Sequence, residues 1–494
     1  MKKNVIKLIC FCLLLGLLFM GFWSVFQYRF VDEDGIEGMQ TFYEAEDNTI
    51  DVMFFGSSHM FVNVNTAVLW DEYGIAAYNL GGSEQRMWNT YYYMKEALKT
   101  QTPKVLVVDC YGVTFSDDFQ KQGKIVKNTF GMKFSADKIE AIKVSAPDNH
   151  LLYLLGYPGF HGRYTALTEA DFLPYKGIKG YEDWKGHHFM GKVNEKIAEI
   201  KPENPAAITH VEPITVKNEQ YLRAIIDLAK EEDIPLVLMV APYCVTIKEQ
   251  SQFNRVAEIA NETGVPFINF NLCYEEIGLD FAMDYADGHH LNYLGTPKFT
   301  RVLADYLTAN YEIPVRSGEP EYEDYDRMAD IYAAKVTNQN LIRETDLEQY
   351  LAALNQEEYV IAYTLSGDYK NTANLHVVNE KLLTYGIDLA SVQGDQAWVV
   401  EQKTKTVLFA SNNATEYNYH MDLSQYDTLM VKSPDAKDME EGILVPVINF
   451  NNTVYHPVYQ GLTVFVYDKK TETMVEAVGF YLENGMFYPV KWRE

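Results

Sequence analysis

The sequence predicts an α/β fold for its first two thirds, followed by a smaller β-rich (α+β) module and preceded by one membrane-length apolar segment. Three observations carry this. Uninterrupted runs of Val, Leu, Ile and Phe alternate with helix-patterned stretches as far as about residue 315; short strand-like runs separated by Asn and Gly turns take over from about 357; and Leu8 to Phe26 contains no charged residue. Runs apolar at every position suit a parallel sheet covered on both faces, whereas a half-solvated strand alternates.

Taken in order, Lys2, Lys3 and Lys7 precede the apolar run, which is close to the roughly 20 residues needed to span a bilayer. Basic residues on that side predict a cytoplasmic N-terminus. Phe19 to Phe26 is bulky apart from Gly21 and Ser24, so no small-residue cleavage site follows, and residues 1–30 read as an uncleaved, single-pass anchor to the cell membrane. The bulk of the chain is then extracytoplasmic.

Residues 31–315 form the α/β part. Ile50 to Phe55, Lys104 to Val108, Leu236 to Ala241 and Val265 to Phe270 read as buried strands. Tyr221, Leu222, Ile225, Ile226, Leu228 and Ala229 recur at helical spacing before the third of these, and Asn254 to Thr263 repeats the arrangement before the fourth, which makes crossover units. An insertion at about 115–210, dense in Tyr, Trp, Phe and His, reads as a cap. Residues 316–356 read as an acidic linker with short helices, Thr345-Asp346-Leu347-Glu348 resembling a capping box. In 357–494 the strand candidates are Tyr359 to Leu365, Ala397 to Glu401, Thr406 to Phe409, Ile443 to Asn449 and Leu462 to Tyr467. Turns are expected at Asp395, Asn412-Asn413, Asn451-Asn452 and Asn484-Gly485.

The net charge of −27 argues against a nucleic-acid backbone or an anionic membrane surface as the main ligand. Outside the anchor, Cys110, Cys244 and Cys273 show no CxxC spacing, and His187-His188 has no further ligand at metal spacing, so neither a disulfide framework nor a metal or other cofactor is expected.

Two motifs carry chemistry. Gly56-Ser57-Ser58-His59 follows a strand, and Asp287-Gly288-His289-His290-Leu291-Asn292 closes the α/β part. A serine hydroxyl is a poor nucleophile until a histidine takes its proton and a carboxylate fixes that histidine's tautomer. Ser58, His290 and Asp287 supply those groups from the two ends of the unit. Read blandly, the first motif is a turn with a helix cap, Asp287 caps a helix beginning near Asn292, and His290 packs in the core. His59 and His289 are expected as structural neighbours.

These blocks resemble those of the SGNH/GDSL hydrolase superfamily, and with the anchor they resemble its membrane-anchored branch, which includes the D-alanine transfer protein of teichoic acid modification and the alginate O-acetylation proteins. The resemblance covers residues 50 to about 310. It implies a flavodoxin-like parallel sheet with helices on both faces, Ser58 as nucleophile and Asp287 and His290 as its partners. Tyr78-Asn79-Leu80-Gly81-Gly82-Ser83-Glu84 resembles the block that contributes to the oxyanion hole, so Asn79, Gly81 and Gly82 are expected there. Where the family supplies an Asn after the next strand, this chain reads Val108-Asp109-Cys110-Tyr111-Gly112. In the cap, His161 and Arg163 are expected to bind substrate, the guanidinium holding an anionic group.

The implied function is a serine acyltransferase or esterase that O-acetylates, or similarly acylates, a cell-surface polysaccharide or teichoic-acid-like polymer, working with a multipass membrane O-acyltransferase. The alternative is a non-catalytic surface glycan-binding or cell-envelope assembly protein that keeps the fold. A segment at Tyr459 to Asp468 resembles interleukin-like domains found beside glycan-active proteins.

Overall fold

The computed structural model describes residues 2–26, 35–119, 121–156, 162–173, 183–456 and 458–492. The chain divides into two compact units, Met1–Ala329 and Asp330–Glu494. The division falls inside a single 21-residue helix, Glu323–Arg343, where the sequence suggested a linker with short helices.

The first unit is built on five parallel strands: β1 (Val52–Gly56), β2 (Ala77–Gly81), β3 (Val105–Asp109), β4 (Leu236–Val240) and β5 (Phe267–Asn269). Their order is β2-β1-β3-β4-β5, the flavodoxin-type arrangement. Every residue of β1 to β4 is buried, as the apolar runs require. Met53, Phe55, Leu106, Val108, Leu238 and Val240 face one core, shared with helices Met87–Ala97, Val216–Glu231 and Ile247–Thr263. Val52, Phe54, Val105, Val107, Val237 and Met239 face the other, shared with Thr66–Tyr73 and Gly295–Asn310. Burying a strand on both faces leaves its ends as the accessible part of the sheet. In this topology the crevice lies past the carboxyl ends of β1 and β3, where the strand order reverses.

Lys2–Phe26 is one helix of 25 residues whose apolar side chains are exposed from Val5 to Phe22, long and apolar enough to cross a membrane. The insertion folds as short helices, Gln122–Lys127, Ala136–Ser145 and His150–Leu154, with 3-10 turns after them.

The second unit has two antiparallel sheets. With β6 at Tyr359–Ser366, β7 at Gln396–Glu401, β8 at Thr406–Ala410, β13 at Gly461–Asp468, β14 at Thr473–Glu483 and β15 at Met486–Trp492, six strands run in the order β15-β14-β13-β6-β7-β8, centred on β13 and β6. Four more, β12 (Thr453–Tyr455), β11 (Val447–Phe450), β10 (Thr428–Lys432) and β9 (Asn418–Asp422), form the second. Ile361, Tyr363 and Leu365 pack with Leu347, Leu351, Val378 and Leu382 of two helices; Val360 and Ala362 pack with Leu429, Val431 and Ile448 of the smaller sheet. The large sheet is thus the middle of three layers, which is why β6 and β13 are buried at every position. Asn451 and Asn452, then Asn484 and Gly485, all adopt positive φ in two-residue hairpin turns, as their Asn-rich sequences predict. The expected strand from Ile443 is shorter: Ile443 and Val445 are buried in a loop, and pairing begins at Val447.

Candidate active site

Past β1 the chain turns sharply into the short helix Ser58–Asn63. Ser57 is its N-cap, accepting a hydrogen bond from the His59 amide at 3.3 Å, so Ser58 is the first helical residue and its side chain faces the crevice. Space there is tight. A Cβ on Gly81 would stand 2.9 Å from the Gly56 carbonyl and 3.0 Å from the Phe61 ring, so the two strand ends approach as closely as they do only with glycine at 81.

The loop bearing the second motif is fixed from both sides. Tyr285 and Leu291 form a β-bridge, Ala286 donates to the His290 carbonyl, and Cys244 donates to the Gly288 carbonyl. Asn63, fully buried at the end of the Ser58 helix, accepts from the Leu291 amide at 2.9 Å and so ties that helix to the loop. The consequence is a continuous line. Ser58 Oγ lies 2.8 Å from His290 Nε2, and His290 Nδ1 lies 3.0 Å from both Asp287 carboxylate oxygens. An acceptor at Nδ1 fixes the imidazole as the Nδ1–H tautomer, which leaves Nε2 to accept from the serine hydroxyl. Burial would raise the Asp287 carboxyl, but hydrogen bonding and charge from His290, with the amides of His289 and His290, hold it down at about 2. It is therefore ionised wherever His290 needs a counter-charge. Asp287 is turned to His290 and its own loop and not to the following helix, at whose entrance the Asn292 side chain accepts from the amides of Leu294 and Gly295.

A cavity of about 580 Å³ opens over this line. Phe61, Val62 and Met190 give it apolar walls, Ser83, Glu84 and Tyr111 another side, and Lys124 and Lys127 of the cap a cationic one. Lys124 Nζ is 3.3 Å from Glu84. The end of the insertion is laced to the site: His188 donates its amide to the Phe61 carbonyl, and Asn79 donates its amide to the Lys185 carbonyl.

Several expected binding residues sit elsewhere. Asn79 is buried in β2, its side-chain amide donating to the Val64 carbonyl at 3.0 Å, so it braces the turn after the Ser58 helix and does not line the cavity. The Gly82 amide is engaged by the Gly56 carbonyl at 3.3 Å, and Gly81 is sealed within β2. Arg163 is buried against Asp171, and its guanidinium also donates to the Phe26 carbonyl at 3.2 Å; it is not among the cavity residues. His161 lies outside the described residues.

Other cavity residues were not expected to have this arrangement. His59 is buried and stacked on Tyr111 with ring centroids 3.7 Å apart, and Tyr243 meets it edge-on at 4.6 Å. Burial, then the neighbouring His290 and His289, hold His59 far below the usual histidine range, so it is neutral. Tyr111 lies just past β3, so an aromatic stack occupies that side of the crevice. His187 is buried with Nδ1 at 3.1 Å from the Phe61 carbonyl, a packing position.

No protein-family model matches the sequence, and no curated protein matches it. Among solved structures the chain is similar to a candidate acylhydrolase from Bacteroides fragilis NCTC 9343, at 11% identity over 56% of this chain and 99% of that one, with a TM-score of 0.28. It is also similar to a candidate lipolytic protein of the G-D-S-L family from Desulfitobacterium hafniense DCB-2, at 14% identity over 58% and 99% of the two chains, with a TM-score of 0.23. Likeness at that level carries no information on substrate.

Proposed function

We propose that this chain is a membrane-anchored serine acyltransferase or esterase of the SGNH type that acylates or deacylates a cell-surface polysaccharide or teichoic-acid-like polymer outside the cytoplasm. The observation that carries the reading is the hydrogen-bonded line Ser58–His290–Asp287 at 2.8 and 3.0 Å, opening on a cavity. Ser58 Oγ attacks the acyl carbonyl while His290 Nε2 takes its proton, and Asp287 stabilises the imidazolium. The Ser58 amide, at the first position of its helix, has no intrahelical carbonyl to bond and is the donor best able to meet the oxyanion. His290 then returns the proton to the departing group. A sugar hydroxyl or water, deprotonated by His290, resolves the acyl-enzyme into product. The helix Lys2–Phe26, uncharged from Leu8 onward, supports the anchor, with a multipass membrane O-acyltransferase supplying the acyl group in a transfer reaction.

One observation favours the second reading, a surface glycan-binding or assembly protein without catalysis: the Gly82 amide and the Asn79 side chain, both expected at the oxyanion, are occupied by the Gly56 and Val64 carbonyls. The experiment that separates the two follows intact mass and product release after incubation with an activated acetyl ester. Acetylated protein or turnover that vanishes in Ser58→Ala and in His290→Ala supports serine acyl chemistry. A folded wild-type chain with neither adduct nor turnover would favour the binding role.

A further inference from the structure

The cap that walls the cavity also grips the end of the membrane-length helix. Ile125 and Val126 of helix Gln122–Lys127, Tyr153 of helix His150–Leu154, and Ile36, Phe130, Ile142 and Ala146 form one apolar cluster, and Phe26 packs against it. Arg163 donates to the Phe26 carbonyl, and Asp171, its ion-pair partner, lies in the 3-10 turn Glu169–Phe172 that contacts the same helix. Lys124 and Lys127, on the same short helix as Ile125 and Val126, line the cavity. One helix therefore separates the cavity from the helix end, a distance on the order of 10 Å.

Around that end the cap is unusually apolar on its surface. Leu151, Leu152 and Leu155 are exposed on and just after the helix that carries Tyr153, Tyr164 is exposed beside Arg163, and Phe172 beside Asp171. Each is within two residues of a group that packs on or bonds to the Phe26 region. Large apolar side chains exposed beside the end of a membrane-length helix are placed to enter the headgroup boundary of a bilayer.

We propose that the cap docks on the phospholipid surface through Leu151, Leu152, Leu155, Tyr164 and Phe172, so that the cavity over Ser58 is held at the membrane interface and takes an acyl donor presented there. Docking rests on the anchor reading, since it is the retained helix that brings this face to the bilayer. The docking itself, read by the lipid adducts, does not depend on catalysis, whereas the turnover comparison does.

The test uses the full chain in nanodiscs of phosphatidylcholine and phosphatidylglycerol, with a photoreactive benzoyl-phenylalanine replacing Leu151, Leu155 or Val315 in turn. Val315 is the control: it is 68% exposed against 66% for Leu151, and its neighbour Arg316 pairs with Asp51 at the start of β1, the far end of the sheet from Ser58. Illumination should give lipid adducts at 151 and 155 several-fold above those at 315. Adducts no greater than at 315, with intact mass showing residues 2–26 retained, would overturn docking. Loss of those residues would remove the anchor reading and the proposal with it. The paired change Leu151→Asp with Leu155→Asp should leave hydrolysis of a small soluble ester unchanged and lower turnover of a bilayer-embedded acyl donor several-fold; equal rates on both donors would also overturn it.

Discussion

Asp109 ends β3 directly beneath the turn that carries Ser58: a Cβ on Gly56 would lie 2.9 Å from that of Asp109. Burial pushes its carboxyl up to about 7, against the opposing hydrogen bonds from the amides of Ala241 and Tyr111. The unfolded carboxyl titrates near 4, so between about pH 4 and 7 the unfolded chain gives up a proton that the folded one keeps. The unfolded state then binds fewer protons, and stability falls as pH rises through that window. Asp109→Asn keeps the shape and an oxygen for the Ala241 amide while removing the charge. Its unfolding free energy, measured in urea, should match wild type near pH 4 and exceed it increasingly up to about pH 7, by an amount on the order of a few kcal/mol. A gap that stays constant from pH 4 to 8 would show that the carboxyl is not held protonated. Residues of this kind were legible only as strand termini. Nothing in Val108-Asp109-Cys110 announces that the carboxyl is sealed under the neighbouring strand, because that depends on how closely β1 and β3 approach. The same limit explains Asn79 and Arg163, polar residues whose partners, the Val64 carbonyl and Asp171, are set by tertiary packing.

At the scale of elements, patterns that depend on local chemistry were readable and those that depend on neighbours were not. The strands of the first sheet are continuous apolar runs, and three of the four predicted runs coincide closely with β1, β3 and β4. β2 is harder to see, since Ala77-Tyr78-Asn79-Leu80-Gly81 carries an amide and a glycine that only the site's close packing explains. In the second unit β9, Asn418-Tyr419-His420-Met421-Asp422, alternates with charged and polar residues outward and is buried only in part, so its run lacks the apolar density of β6. Helix Leu347–Ala353 shows how a cap can be misplaced by one residue. Thr345 and Glu348 fit the capping pattern, yet the N-cap is Asp346, accepting from the Gln349 amide at 2.9 Å, while Glu344 accepts from the amides of Thr345 and Asp346. The shift puts Leu347, Tyr350 and Leu351 on the buried face. Asp346→Ala should therefore cost about 1 kcal/mol in the second unit's unfolding free energy, whereas Thr345→Ala should change it by less than about 0.5. Equal losses from the two in chemical denaturation would restore Thr345 as the cap.

At the scale of the whole molecule, the two units have separate cores and differ in which buried groups resist protonation. In the first, His187 is held down at about 3 by burial and then by His188, and His59 is held well below the histidine range. Both must stay neutral while folded. Below about pH 6.5 the unfolded chain takes up protons that these two refuse, so their contribution, fully present at higher pH, is lost as pH falls. Asp109 acts in the opposite sense over part of that range, which masks the loss in wild type and exposes it in Asp109→Asn. In the second unit the corresponding group is Lys381, lowered to about 7 by burial and then by Lys405, its ammonium donating to the Leu354 carbonyl. Its contribution is present above the usual lysine value and is lost as pH falls from there to about 7, with little further change below. Calorimetry of the full chain in nanodiscs should therefore show two transitions. In Asp109→Asn, one should move down steeply between pH 6.5 and 4 while the other stays nearly fixed, the second moving instead between pH 7 and 10. His187→Gln should flatten the acid slope of the first transition only. If both transitions shifted together across the acid range, the pH response would belong to the net charge of the chain rather than to the buried histidines.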